Sequence, residues 1–309
     1  MRAYLAILLF VILPYKSLWA AGPPVTAEDR KVDSLFVMAS SGELEFRDLV
    51  APAIDSIAAM GTAAIPRLIE KCDSRNARER HTLNTIFVKI GRPAVPYLIR
   101  TIPGRPAEEV SRICSTLGEI KDSSAVEGLM EVATHDDWRV RSAVTGALGD
   151  INDKRANAVV ARALADSNEL VRKSAAVSAG KLSIDDAMPA LVHLLGDDFY
   201  GARFCASEAL VKFGPKAIKV ITDSLKSNND LVGNLGCTTL GVIGGDSSGA
   251  ILVAQLDSRS SLRRALAVEG IMLSNSSSAC AAVEILSKTE NDPVVLFYID
   301  KTIRKYDSR

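Results

Sequence analysis

Three arginines at a fixed interval constrain this chain more than any other feature. Arg141 lies in DDWRVRSAVTGALGDI, Arg172 in DSNELVRKSAAVSAGKL and Arg203 in DDFYGARFCASEALVKFG, each 31 residues from the next. An acid-rich stretch precedes each arginine, and a run of small apolar residues follows it. Self-similarity at this kind of period builds a stack of like units whose core grows in one direction. The length points the same way, because 309 residues exceed what one compact core ordinarily supports.

A second periodic feature opens a different helix: GTAAIPRLIE at 61, GRPAVPYLIR at 91 and GPKAIKVITDSL at 214. Arg80, in RERHTLNTIFVKIG, extends the arginine series toward the N-terminus. Val110, Gly233 and Leu296 take the same place in other copies, and Arg263 or Arg264 takes it in SLRRALAVEGIML. Residues 31–309 therefore divide into about nine units with a period near 31 residues. Each unit predicts two antiparallel helices. In the unit from Lys121, Ala125, Leu129 and Val132 form one apolar stripe, and Val140, Ala143, Val144, Ala147, Leu148 and Ile151 form the next. His135-Asp136-Asp137 interrupts them and offers N-cap acceptors. Gly91, Gly214 and Gly244 suit left-handed C-caps. Pro66 and Pro96 fall in first turns, where a missing N–H costs little. Pro52 predicts a kinked or late-starting helix. No stretch alternates as a strand would, and aromatics are only 5 %. The expected fold is all-α.

The acid-rich turn followed by V-R-x-x-A-x-x-A-L-G-x-I resembles the short HEAT-like repeats named after phycobilisome lyases. The residues that carry the likeness are Val140-Arg141, Ala143, Ala147-Leu148-Gly149 and Ile151, then Val171-Arg172, Ala175 and Leu182. The resemblance implies an armadillo-like α-solenoid, and the family holds scaffolds, assembly factors and a few enzymes. Iron-dependent hydroxylases of similar fold use repeated His-Glu pairs. Here Thr follows His81, Asp follows His135 and Leu follows His193, so that ligand set does not carry over.

The arginine series reads first as structural. An Arg near a helix start opposes the helix dipole unless something offsets it. Asp136, Asp166 and Asp197 recur just ahead of Arg141, Arg172 and Arg203, and a guanidinium fork matches a carboxylate or turn carbonyls. Each Arg is expected to tie its turn to the acid of its own or the next repeat, with Arg80 in the same register. An anion-binding stripe is the competing reading. Copies at 91–120 and 215–244 lack the Arg, so the ladder should break there.

The N-terminus reads as a separate segment. MR, the apolar run AYLAILLFVIL and the small pair Ala20–Ala21 fit a secretory signal peptide over residues 1–21, with residues 22–30 as a linker. The run is too short to span a bilayer comfortably, although an uncleaved anchor is the alternative. A periplasmic or secreted location follows, with no membrane span after signal removal. The five cysteines lie in apolar helical patterns and read as buried small side chains. Basic and acidic residues balance at 37 each with no basic block, which argues against a nucleic-acid partner.

No catalytic, metal or cofactor constellation emerges. CxxC, HExxH, a Walker-type loop and a G-x-S-x-G elbow are all missing. His135-Asp136-Asp137 reads as a capping turn against a weak metal site. Binding remains, on the second helices that line the inner face of related folds. The candidate positions are Ser142, Thr145, Ser178, Ser207, Glu208, Thr238 and Thr239, a fairly neutral groove. Trp138, Phe199 and Tyr200 could anchor a partner or cover the next repeat's edge. Two functions follow: an exported, non-catalytic scaffold that binds a protein or peptide in assembly or maintenance of an envelope complex, or an enzyme or enzyme subunit of the lyase or hydroxylase branch.

Overall fold

The computed structural model describes residues 25–226 and 229–307. The expected signal peptide, residues 1–21, lies outside the described residues. The chain forms two compact units, Met1–Tyr97 and Leu98–Arg309. Among the described residues there are eighteen α-helices and no strand, and the helices pair as nine first-and-second pairs of an α-solenoid.

Seven of the second helices are 14 residues long: Ala77–Ile90, Ala107–Ile120, Trp138–Ile151, Glu169–Leu182, Tyr200–Phe213, Asp230–Ile243 and Ser261–Ser274. Their starts are 30 or 31 residues apart. Side-chain caps fix many of these starts. Asp137 accepts from the Arg139 N–H, Asn168 from Leu170 and Asn229 from Leu231, each satisfying a donor that the helix leaves open.

The helix ends come in two kinds. Lys121, Asn152, Ser183 and Asn275 adopt the left-handed helical conformation, with φ of 52° to 58°. Gly91, Gly214 and Gly244 also have positive φ, but their ψ values lie between −135° and −174°. That region is open to glycine alone, so these ends differ from the left-handed caps the sequence suggests.

The first helices are shorter. Five are preceded by a three-residue 3-10 turn, at Gly61–Ala63, Arg92–Ala94, Ser123–Ala125, Lys154–Ala156 and Asp185–Ala187. Pro66 and Pro96 sit in first turns, as expected. Pro52 lies in Val50–Ala59, which a 3-10 segment, Leu44–Leu49, leads into, so this helix does start late. The linker expectation needs correction. Helix Ala27–Ser40 begins inside residues 22–30, where Thr26 and Asp29 form a reciprocal capping box.

Within Leu98–Arg309, successive second helices approach through small residues. A Cβ on Gly118 would lie 2.7 Å from Ala147 Cα, one on Gly149 2.9 Å from Ser178 Cα, and one on Gly241 2.5 Å from Gly270 Cα. These glycines hold the twelfth helix position, and their neighbours hold the tenth position of the next helix. In Tyr200–Phe213 the twelfth residue is Val211. The join between Tyr200–Phe213 and Asp230–Ile243 is the least extensively packed pair of successive second helices in this unit. Leu117, Leu148 and Leu210 repeat at the eleventh position and are fully buried.

Candidate functional site

The arginine series forms a ladder between repeats. Arg141 donates from Nε and Nη2 to the Asp166 carboxylate, both at 2.8 Å, and from Nη1 to the carbonyls of His135 and Asp136. Arg172 repeats this with Asp197, at 2.6 and 2.9 Å, and with the carbonyls of Asp166 and Ser167. Arg264 does so with Glu290, at 2.6 and 3.0 Å, and with the Ser258 and Arg259 carbonyls. One guanidinium thus closes its own turn and grips the following one.

The electrostatics agree. Hydrogen bonds from Arg141 hold the Asp166 carboxyl below its usual range. Burial works to raise the Asp197 pKa, but bonds from Arg172 and the Phe199 N–H outweigh it. Glu290 is lowered to about 2, chiefly by Arg264.

Asp136 does not hold the expected place. It contributes its carbonyl, and His135 occupies the register of Asp166 and Asp197. The slip is visible in the spacing, five residues from Asp136 to Arg141 against six from Asp166 to Arg172. Asp137 Oδ1 is the actual cap, and His135 Nδ1 accepts from the Asp137 N–H at 3.0 Å.

Arg203 closes its own turn through the Asp197 and Asp198 carbonyls, at 2.6 and 3.1 Å, and lies 5.5 Å over the Tyr200 ring. The sequence offers Ser227, not an acid, in the following turn, at a residue outside those described. Arg80 donates to the Arg75 carbonyl at 2.9 Å. Arg264, not Arg263, is the ladder member. Arg263 packs its guanidinium over Gly233, in the space an arginine at 233 would fill, and donates to Asn234 at 2.9 Å.

Several expected groove residues lie between repeats instead. Thr145, Ser178 and Thr239 are buried. Ser178 donates to the Thr145 carbonyl at 2.9 Å, and Thr145 to the Arg141 carbonyl at 2.7 Å. Ser207 and Thr239 share a 2.8 Å hydroxyl contact, as do Ser142 and Ser174. The Thr145 bond turns back onto its own helix, and the others cross between helices and satisfy small polar groups where the helices touch. Thr238 is half-buried and donates to Leu235 O, while Glu208 is exposed.

The solvent side of the second helices is more apolar than the sequence reading holds. Trp138 and Tyr200, each first in its helix, are 38 % and 66 % exposed. Phe199 is half-buried, with its ring against Gly201. Phe204, Leu231, Val242, Leu262 and Leu273 are also exposed and were not anticipated. Their signal lies in register. Leu231 and Leu262 are both second in their helices, Val242 and Leu273 both thirteenth, and Phe204 follows Tyr200 by one turn. Second and thirteenth positions lie about 20° apart on the helix surface and first and fifth about 40° apart, at about 100° per residue. Tyr200 and Phe204 stack with centroids 6.2 Å apart. A separate shallow groove runs between Trp138 and Ser142 on one helix and Leu170, Lys173 and Val177 on the next.

Among the described residues no three His, Cys, Asp or Glu side chains converge as a metal site, and no helix is long and apolar enough to cross a membrane. Cys114, Cys205, Cys237 and Cys280 are buried free thiols and Cys72 is half-buried. Burial pushes Cys114 up to about 12.

The HEAT repeats family matches residues 105–180 and 157–235, which together carry the ladder from Arg141 to Arg203. Residues 105–235 are thus similar to HEAT repeats. No curated protein matches the chain. Among solved structures, human deoxyhypusine hydroxylase in complex with glycerol is 16 % identical, with 84 % of this chain and 100 % of that chain covered and a TM-score of 0.38. The Escherichia coli protein YibA is 15 % identical, with 81 % and 96 % covered and a TM-score of 0.49. The complex of CpcE and CpcF of phycocyanin lyase from Nostoc sp. is 16 % identical, with 88 % and 97 % covered and a TM-score of 0.36.

Proposed function

We propose that this HEAT-repeat chain is an exported, non-catalytic scaffold that binds a protein or peptide partner along the free face of its second helices. The role fits assembly or maintenance of an envelope complex. HEAT repeats commonly bind proteins. The observation that carries the reading is the run of exposed large apolar residues in register on that face, from Trp138 to Leu273. An exposed apolar row marks a surface that gains from being covered. The ladder arginines hold this face in shape and do not touch the partner.

Crosslinking with mass spectrometry on the full chain in a native envelope extract tests the reading. Crosslinks from a reproducible partner to Lys173 and Lys212, on second helices, support it. Crosslinks confined to Lys216 and Lys219, on the first helix Pro215–Ser224, contradict it. Export has its own test. N-terminal sequencing of the mature protein should begin near residue 22, and a start at Met1 from the cytoplasm would refute it.

A further inference from the structure

Seven second helices, from Ala107–Ile120 to Pro293–Asp307, make six joins within Leu98–Arg309. Five of these joins are held by a close glycine contact, an arginine, or both. Gly118 meets Ala147, Gly149 meets Ser178, Gly180 meets Ala209 and Gly241 meets Gly270, where a Cβ on the first glycine would lie 2.5 to 3.1 Å from the facing Cα. Rungs from Arg141, Arg172 and Arg264 cross three joins, and Arg263 crosses a fourth to Asn234. The join between Tyr200–Phe213 and Asp230–Ile243 has neither device among the described residues. Val211 stands at the glycine position, and Arg203 donates to the carbonyls of its own turn.

What does cross this join is unevenly placed. Near the helix starts, a Cβ on Gly196 would lie 2.7 Å from Asn229 Nδ2 and 2.8 Å from Val232 Cγ2, so the two turns touch. Midway, Ser207 and Thr239 share their hydroxyl contact. Near the helix ends the tie is Lys216 to Asp185 at 2.8 Å, with side chains 65 % and 52 % exposed, and an ion pair so open to water holds little.

We infer that this join is a hinge of the repeat array. The repeats of residues 98–213 and the repeats that follow move as two stiff arms. They pivot where Gly196 meets Asn229 and Val232, and they open at the Val211 end. The other joins resist such motion for two reasons. A glycine contact leaves no gap for one backbone to rock over the next, and a bidentate guanidinium–carboxylate pair fixes direction as well as distance. A hinge absorbs a large motion at a few positions while the elements on either side stay rigid. The inference does not depend on which partner the array binds, and it gives the array one place at which to change its curvature.

Double electron–electron resonance between nitroxides on the full chain tests this, in a Cys72→Ser background because Cys72 is the cysteine that is not buried. One pair, Glu131→Cys with His193→Cys, spans two joins that have both a glycine contact and a rung. The other pair, His193→Cys with Ala250→Cys, spans the Val211 join and the Gly241 join. All three sites are exposed on first helices. The second pair should give a distance distribution at least about twice as broad as the first. Gly149→Val puts valine in the twelfth place at a closed join and should broaden the first pair toward the second. If that variant melts early, the two pairs without it carry the test. Equal widths, or a broader distribution for the first pair, overturn the inference. A folded Gly149→Val chain in which the width of the first pair is unchanged overturns it as well.

Discussion

The second helices Trp138–Ile151 and Glu169–Leu182 meet in a different way from Tyr200–Phe213 and Asp230–Ile243. The first pair has Gly149 against Ser178, a closed Arg141–Asp166 rung and a buried hydroxyl bond from Ser178. The second pair has Val211 in the glycine's place, and its arginine turns to Tyr200. It keeps one hydroxyl contact, Ser207 to Thr239. The fold survives this because each repeat buries its own leucines, Leu148 and Leu210 alike. Intra-repeat burial makes the helix pair, and small residues with arginine rungs decide how tightly one pair grips the next. The looser join is also where aromatic side chains face solvent.

The largest effect should come from filling a close contact. Gly241→Ala places a methyl 2.5 Å from Gly270 Cα and 2.7 Å from its carbonyl oxygen, where neither atom can give way independently. We expect a loss of about 3 kcal/mol in chemical denaturation. Val211→Ala, at the looser join, should cost under about 1 kcal/mol, and equal losses would erase the distinction between the regions.

Arginine removal comes next. Arg172→Ala leaves Asp197, whose side chain is only 7 % exposed, without its partner, and two turn carbonyls lose a donor. A loss of about 2 kcal/mol is expected. Among the described residues Arg203→Ala removes two carbonyl bonds and a ring contact, and it should cost about 1 kcal/mol. Arg162→Ala, on an exposed first-helix position, should leave the melting temperature almost unchanged.

Acid should act through the same rungs. Asp166, Asp197 and Glu290 all have folded pKa values below their ordinary ones. Their stabilisation is complete above the unfolded values and disappears as pH falls through the folded ones. Melting temperature should therefore be flat from pH 7 to about 5 and drop between about 4.5 and 2. In Arg172→Ala the drop should be shallower, and an unchanged slope would separate the ladder from acid stability.

The smallest effect has the opposite sign. Gly146 lies on the same helix as Gly149, but a Cβ there meets nothing within 4 Å. Gly146→Ala should raise stability by about 0.5–1 kcal/mol through helix propensity, whereas Gly149→Ala should lower it.

Much of this was legible in the sequence, because helix pairing depends on local periodicity and caps. Arg141, Arg172 and Arg203 announced the repeat, and the rungs to Asp166 and Asp197 join each arginine to the acid 25 residues on, in the next repeat's turn. What could not be read was which side of a second helix faces what. A second helix in a stack is covered by its own partner and by both neighbours, so small polar residues fit a groove or a contact equally well. Thr145, Ser178 and Thr239 fell on the contact side for that reason. Leu231 and Leu262 do not stand out in the sequence, because an exposed leucine follows the same period as a buried one. Arg263 and Arg264 were indistinguishable until Gly233 opened the space that Arg263 fills.

Hydrogen–deuterium exchange on the full chain tests the central contrast most directly. The account predicts slow exchange across Val171–Ala179, beside two closed rungs, and exchange at least several-fold faster across Val232–Leu240, on the far side of the looser join. Equal protection of the two helices would show that neither the glycines nor the arginine rungs set how tightly one repeat holds the next.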